Sequence, residues 1–197
     1  IITIFTAILL GWEMPLVAIQ LLWVNLITDS LPAIALGLDP AEDDIMLKKP
    51  YKSGGSFFSG GLWQQIAVEG AMIGMLALIA FGIGRLYFDA PGSYVIGRTM
   101  CFATLSISQL VHAFNMRSEK SLFAIKPFEN KYLVGAFFVG LILQVSVISI
   151  PFISSVFKTC PLNLTQWAAV GILCIMPIII VELEKFSTLP KDKKRSK

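Results

Sequence analysis

The chain has 197 residues, 55% of them hydrophobic and 15% charged, with a net charge of +3 and a mean hydropathy of +0.74. Soluble domains carry about 25% charged residues, so one helical membrane domain accounts for this chain better than two soluble ones. The charge total says little about partners, but no aromatic–basic stripe of the nucleic-acid type and no phosphate-cradling loop is present.

The opening run Ile1–Leu10 is apolar and lacks the basic flank of a signal peptide. It is half the length of a span, which needs about 20 residues. The chain is therefore expected to begin inside a helix of something longer. Gly11-Trp12-Glu13-Met14-Pro15 reads as a tight turn. A second helix is expected over 16–36, followed by a polar loop over 37–61 that carries Asp39, Glu42, Lys48, Lys49 and Lys52.

A third span is expected over 62–88, with Gly70, Gly74, Gly82 and Gly84 suggesting close helix packing. Glu69, near one end of it, is expected to snorkel to the interface. After the turn Asp89-Ala90-Pro91-Gly92 comes a fourth span, 95–115, whose His112 reads as a packed or interfacial side chain. A basic loop, 116–131, precedes the fifth span, 132–150, closed by Pro151; the sixth covers 167–181 before a charged tail, 182–197. The fold class is thus all-α: a polytopic transmembrane bundle of about five full spans and an N-terminal half-span. Cys101, Cys160 and Cys174 form no CxxC pair or zinc-type cluster and read as isolated thiols.

Placing loops on alternate sides tests the count. Thirteen cations, from Lys48 to Lys197, fall on one side; Arg85, Arg98 and Lys158 fall on the other. Lys and Arg are retained in cytoplasmic loops, so loops 37–61 and 116–131 and the tail are expected in the cytosol. The tail is read as a topology anchor, with anionic lipid as a further partner for its cations.

The second span carries one polar constellation. Asn25, Thr28 and Asp29 stand at i, i+3 and i+4 and are expected on one helix face. A carboxylate in mid-membrane is costly and marks an ion pathway or proton relay. Pro32 removes a backbone donor and is expected to break the helix, loosening carbonyls near Thr28. Amide, hydroxyl, carboxylate and carbonyl oxygens suit hard cations: calcium, magnesium, manganese, sodium or a proton. An interhelical hydrogen-bond cluster around a neutral Asp29 is the competing reading. Gln109, midway along the fourth span, is placed to add an amide oxygen or to act as packing glue.

The run Gln20-Leu-Leu-Trp-Val-Asn-Leu-Ile-Thr-Asp-Ser-Leu-Pro-Ala-Ile-Ala-Leu-Gly37 resembles the sixth transmembrane helix of calcium-transporting P-type ATPases. Pro40-Ala-Glu-Asp-Asp-Ile-Met46 is similar to their next cytosolic loop, and the chain as a whole looks like the end of helix five through helix ten. The resemblance implies that Asn25 and Asp29 are the main calcium ligands and that Thr28 matches a ligand of a further site in reticulum pumps. Gln109 stands where reticulum pumps carry glutamate, which favours a single-site pump of plasma-membrane or bacterial type. Lys49-Pro50-Tyr51-Lys52 departs from the family's paired proline and arginine.

The same resemblance implies calcium as the transported ion, moved by alternating access. ATP and magnesium would be bound only by phosphorylation and nucleotide domains outside this chain, which alone should not hydrolyse ATP. The implied partners are those domains and the lipid bilayer. The implied location is the cell membrane, with the short loops pointing to a bacterium. A pump for manganese, sodium or protons, a stand-alone secondary transporter or channel subunit, and a purely structural bundle are the alternatives.

Overall fold

A computed structural model describes residues 1–39, 62–117 and 129–188. Among the described residues there are seven helices and no strand: α1 (Ile2–Leu9), α2 (Ala18–Gly37), α3 (Leu62–Ile83), α4 (Val95–Asn115), α5 (Lys131–Ser149), α6 (Pro151–Phe157) and α7 (Leu164–Thr188). Gly11, at φ +64, takes the left-handed conformation that turns the chain out of α1. A wide π turn, Gly84–Phe88, extends α3.

Among the described residues, four stretches are long and apolar enough to cross a membrane: Ala18–Gly37, Trp63–Phe88, Lys131–Ser149 and Leu164–Lys185. The fourth expected span has the anticipated bounds as α4 but is not one of these. It carries Thr99, Thr104, Ser106, Ser108, His112 and Asn115, all buried. Packing explains the difference. α3, α5, α7 and the middle of α2 surround α4, so protein and not lipid receives its polar side chains.

Among the described residues, the two larger of three apolar clusters hold most of the bundle. Leu76 and Ala80 of α3 meet Met100 and Ala103 of α4, Ile148 of α5, and Val170, Leu173 and Cys174 of α7. Leu16 and Val24 meet Ala77 and Phe81 of α3, Cys101 and Phe102 of α4, and Val147 of α5. In lipid these contacts act through dispersion and close fit, because lipid tails are as apolar as leucine.

The small residues divide by position. A side-chain carbon added at Gly84 would lie 2.3 Å from the Gly97 Cα, so the π turn and α4 cross backbone to backbone. Gly74 faces Thr3 and Ile2 of α1, and Gly82 faces Trp12. Gly70 meets nothing within 4 Å, so its expected packing role is not observed.

Asp89 gives the turn before α4 its purpose. Its carboxylate accepts from the Ile96 N–H at 3.0 Å and the Gly97 N–H at 2.8 Å, and from the Ser93 hydroxyl at 3.3 Å. The N-cap residue, Tyr94, provides no side-chain cap, so Asp89 satisfies these first-turn donors from earlier in the chain. Asp89→Ala is expected to lower stability by about 1–2 kcal/mol, seen as a lower unfolding temperature in detergent. An unchanged transition would mean that water replaces the carboxylate without loss.

Two boundaries differ from expectation. Pro151 does not merely close the fifth span: α5 ends at Ser149 and Pro151 starts α6, at a first-turn position where its missing N–H costs nothing. α7 runs past Val181 to Thr188, so the first part of the expected tail is helical. Glu182 is buried there, and Lys185 Nζ donates to the Asn115 carbonyl at 3.1 Å. Most of the two expected cytosolic loops and the tail cations from Lys191 onward lie outside the described residues.

Candidate functional site

The middle of α2 departs from α-helical geometry. Ala18–Trp23 and Ser30–Gly37 are α-helical, and between them Val24–Asp29 forms a π turn. Pro32 therefore does not break the helix. The α-helix resumes at Ser30 directly from the π turn, and Pro32 lies within the continuous helix Ala18–Gly37. The widening falls in the residues before it. Ser30 Oγ donates to the Asn25 carbonyl at 3.3 Å, and Thr28 Oγ1 donates to the Val24 carbonyl at 2.7 Å.

The π turn also splits the expected three-residue face. Hydrogen bonding five residues back widens the turn, so a residue three along no longer lies above the first. Thr28 is buried against α4, whereas Asn25 and Asp29 are exposed. No described residue bonds the Asp29 carboxylate. Leu22, Leu26 and Ile34 of the same helix are exposed as well.

Gln109 does join the constellation. Its amide oxygen lies 3.2 Å from Thr28 Oγ1. The hydroxyl has one hydrogen, and the shorter bond to Val24 takes it. Rotating the amide, whose oxygen and nitrogen are assigned from the hydrogen-bond network, lets its NH2 group donate to Thr28. The carbonyl oxygen then turns away from Thr28.

Asn25 and Gln109 both line an open cavity of about 290 Å³, together with Thr3, Val24, Ile73 and Gly74. Thr3 carries a hydroxyl that donates to the Gly74 carbonyl at 3.3 Å. Asn25, Gln109 and Thr3 thus offer oxygens from three helices to one space. Among the described residues no three His, Cys, Asp or Glu side chains come together, so the donors gathered in the cavity are neutral oxygens, and Asp29 is not among its lining residues.

Both ends of α2 are anchored, through residues that sequence reasoning missed. Before the π turn, Gln20 Nε2 donates to the Phe157 carbonyl at 3.0 Å and Trp23 Nε1 donates to Gln144 Oε1 at 2.9 Å. After it, Asn130 Nδ2 donates to the Ala35 carbonyl at 3.0 Å. Arg117 grips Asp39 with two bonds, of 2.8 and 2.9 Å. The available signal was an amide inside an apolar run, as at Gln20 and Gln144, which marks an interhelical bond. The wide turn of α2 thus lies between two hydrogen-bonded ends.

The sequence model of the family described as "Cation transporting ATPase, C-terminus" matches residues 13–187. The chain is 43% identical over 201 residues to calcium-transporting ATPase 1 of Bacillus cereus, covering 95% of this chain and 22% of that protein. It is 38% identical over 181 residues to the calcium-transporting ATPase of Bacillus subtilis, covering 92% of this chain and 20% of that one. A plant protein, calcium-transporting ATPase 3, endoplasmic reticulum-type, of Arabidopsis thaliana, is 31% identical over 212 residues, with 94% and 21% covered. The chain spans about a fifth of the length of these relatives.

Proposed function

This chain belongs to the C-terminal family of cation-transporting ATPases, and from that membership we propose that it is the membrane part of an ATP-driven calcium pump. The observation that carries the reading is a π turn in an apolar helix that holds a carboxylate, Asp29, and turns Asn25 into a cavity shared with Gln109. Calcium is bound by six to eight oxygens in flexible geometry. Asp29 supplies full charge, and Asn25 and Gln109 supply neutral oxygens. Thr28 holds Gln109 in place instead of facing the ion. The remaining ligands come from helices outside this chain.

A wide turn between anchored ends suits alternating access. Small changes at Val24–Asp29 move the Asn25 and Asp29 oxygens while the ends of α2 stay fixed to α4, α5 and α6. ATP and magnesium are bound by other domains of the intact pump, and the loop from Asp39 onward couples them to α2. The cation-rich loops face the cytosol. The chain is a multi-pass membrane protein, here assigned to a bacterial cell membrane.

Inside-out vesicles holding the intact pump are expected to take up calcium when ATP is added, with calcium-stimulated ATP hydrolysis. Stimulation by manganese, sodium or protons with none by calcium would overturn the choice of ion.

A further inference from the structure

Apart from the cavity, a second polar chain links α3, α4 and α7. Glu69, His112 and Asn115 are 7%, 8% and 4% exposed. Gln65 Nε2 donates to Glu69 Oε1 at 3.0 Å, and His112 Nε2 lies 3.2 Å from Glu69 Oε2. Asn115 Nδ2 lies 3.3 Å from His112 Nδ1 and 3.3 Å from the Pro177 carbonyl oxygen of α7. The expectation that Glu69 snorkels is corrected: a histidine and a glutamine hold it inside.

Taken together, these contacts favour one placement of the protons. The Pro177 carbonyl can only accept, so it fixes the Asn115 amide with NH2 towards it. The same NH2 group faces His112 Nδ1, which must therefore be the acceptor. His112 is then neutral, with its ring hydrogen on Nε2 and donated to the Glu69 carboxylate. The oxygen of the Asn115 side chain is left buried with no partner. A buried acceptor without a donor is costly.

That spare acceptor is what a second proton on His112 requires. A proton on Nδ1 would point at the Asn115 NH2 group, donor against donor. Half a turn of the amide brings Asn115 Oδ1 onto Nδ1–H and removes the bond to Pro177. We propose that His112 is an internal proton-binding site, and that Asn115 reads its occupancy by making or releasing the α4–α7 link at Pro177. The proton comes from water, and the imidazolium is balanced by Glu69.

Among the described residues, further charged groups lie nearby. α7 brings Lys185, whose ammonium is bonded to the Asn115 carbonyl, and the buried Glu182. Arg117, beyond the end of α4, grips Asp39. The neighbouring face of α4, at Ala113, packs against Ala35 of α2 and Leu133 and Ala136 of α5. This inference does not depend on which cation the protein moves.

The test is nitrogen-15 magnetic resonance of the intact protein in bilayers, with histidine and asparagine labelled. The His112 signals are those absent from His112→Gln. At neutral to alkaline pH a protonated Nε2 and a bare Nδ1 are expected. On acidification both nitrogens should become protonated, and the Asn115 amide signal should shift in the same step. Asn115→Asp, which sets an acceptor against Nδ1, is expected to bind the second proton at least tenfold more tightly. A hydrogen on Nδ1 in the neutral ring would overturn the assignment. So would an Asn115 amide signal that ignores the protonation of His112. Both readings come from the unsubstituted protein and survive if the Asp variant fails to fold.

Discussion

Asp29→Asn is expected to weaken the apparent cation affinity of the intact pump at least about a hundredfold, and with it cation-dependent phosphorylation and transport. The substitution keeps size, shape and one oxygen but removes the only full negative charge that α2 carries. A hard divalent cation exchanges tightly held water for oxygens, and charge count sets how well that exchange is repaid. In surroundings of low dielectric the charge matters more than it would in water. No described residue bonds the Asp29 carboxylate, so its loss should leave folding intact, and expression and unfolding temperature serve as the control. Asn25→Ala should do less, since it removes a neutral donor. Activation of Asp29→Asn by the same cation concentrations as the parent would remove this residue from the ion path.

The largest structural effect is expected at Gly84. A side-chain carbon there would come within 2.3 Å of the Gly97 Cα and 2.7 Å of its nitrogen, and backbone atoms cannot rotate away. Gly84→Val should cost about 3 kcal/mol or more, at or beyond the upper end of overpacking penalties, because the π turn and α4 must separate. Two other glycines calibrate the effect. At Gly140 the obstacle is the side chain of Leu110, at 2.8 Å, which can change rotamer. Gly140→Ala should therefore fall between. Gly171 meets nothing within 4 Å, and Gly171→Ala should be neutral or stabilising by about 0.5–1 kcal/mol, through helix propensity alone. Unfolding in detergent should rank them Gly84, Gly140, Gly171. Any other order would mean that the helix crossing adapts more freely than its backbone spacing implies.

The two predictions rest on features that were unequally legible. The carboxylate could be found from residue types, because a charge in an apolar run stands out whatever surrounds it. The crossing at Gly84 could not. Four glycines on α3 all suggested packing, yet Gly70 faces open space and Gly84 meets α4. Which glycine touches a partner depends on where the partner lies. The π turn is an intermediate case: Pro32 signalled disturbed hydrogen bonding, but a wide turn and a broken helix follow equally well from a missing N–H.

Hydropathy along the chain marked most of the long helices, though not the short α6 after Pro151, since whether a run of some twenty residues prefers lipid is a sum over its own side chains. It likewise marked Asn25, Thr28, Asp29 and Gln109 as polar groups needing a reason to be there. Tertiary structure alone decided that Thr28 turns inward to Gln109 while Asn25 and Asp29 stay open. It also brought Glu69 to His112 from 43 residues away, and let α4 keep its polar side chains by enclosing it. Hydrogen bonds and close backbone crossings between helices are short-ranged and directional, so their partners exist only once the helices have been set side by side.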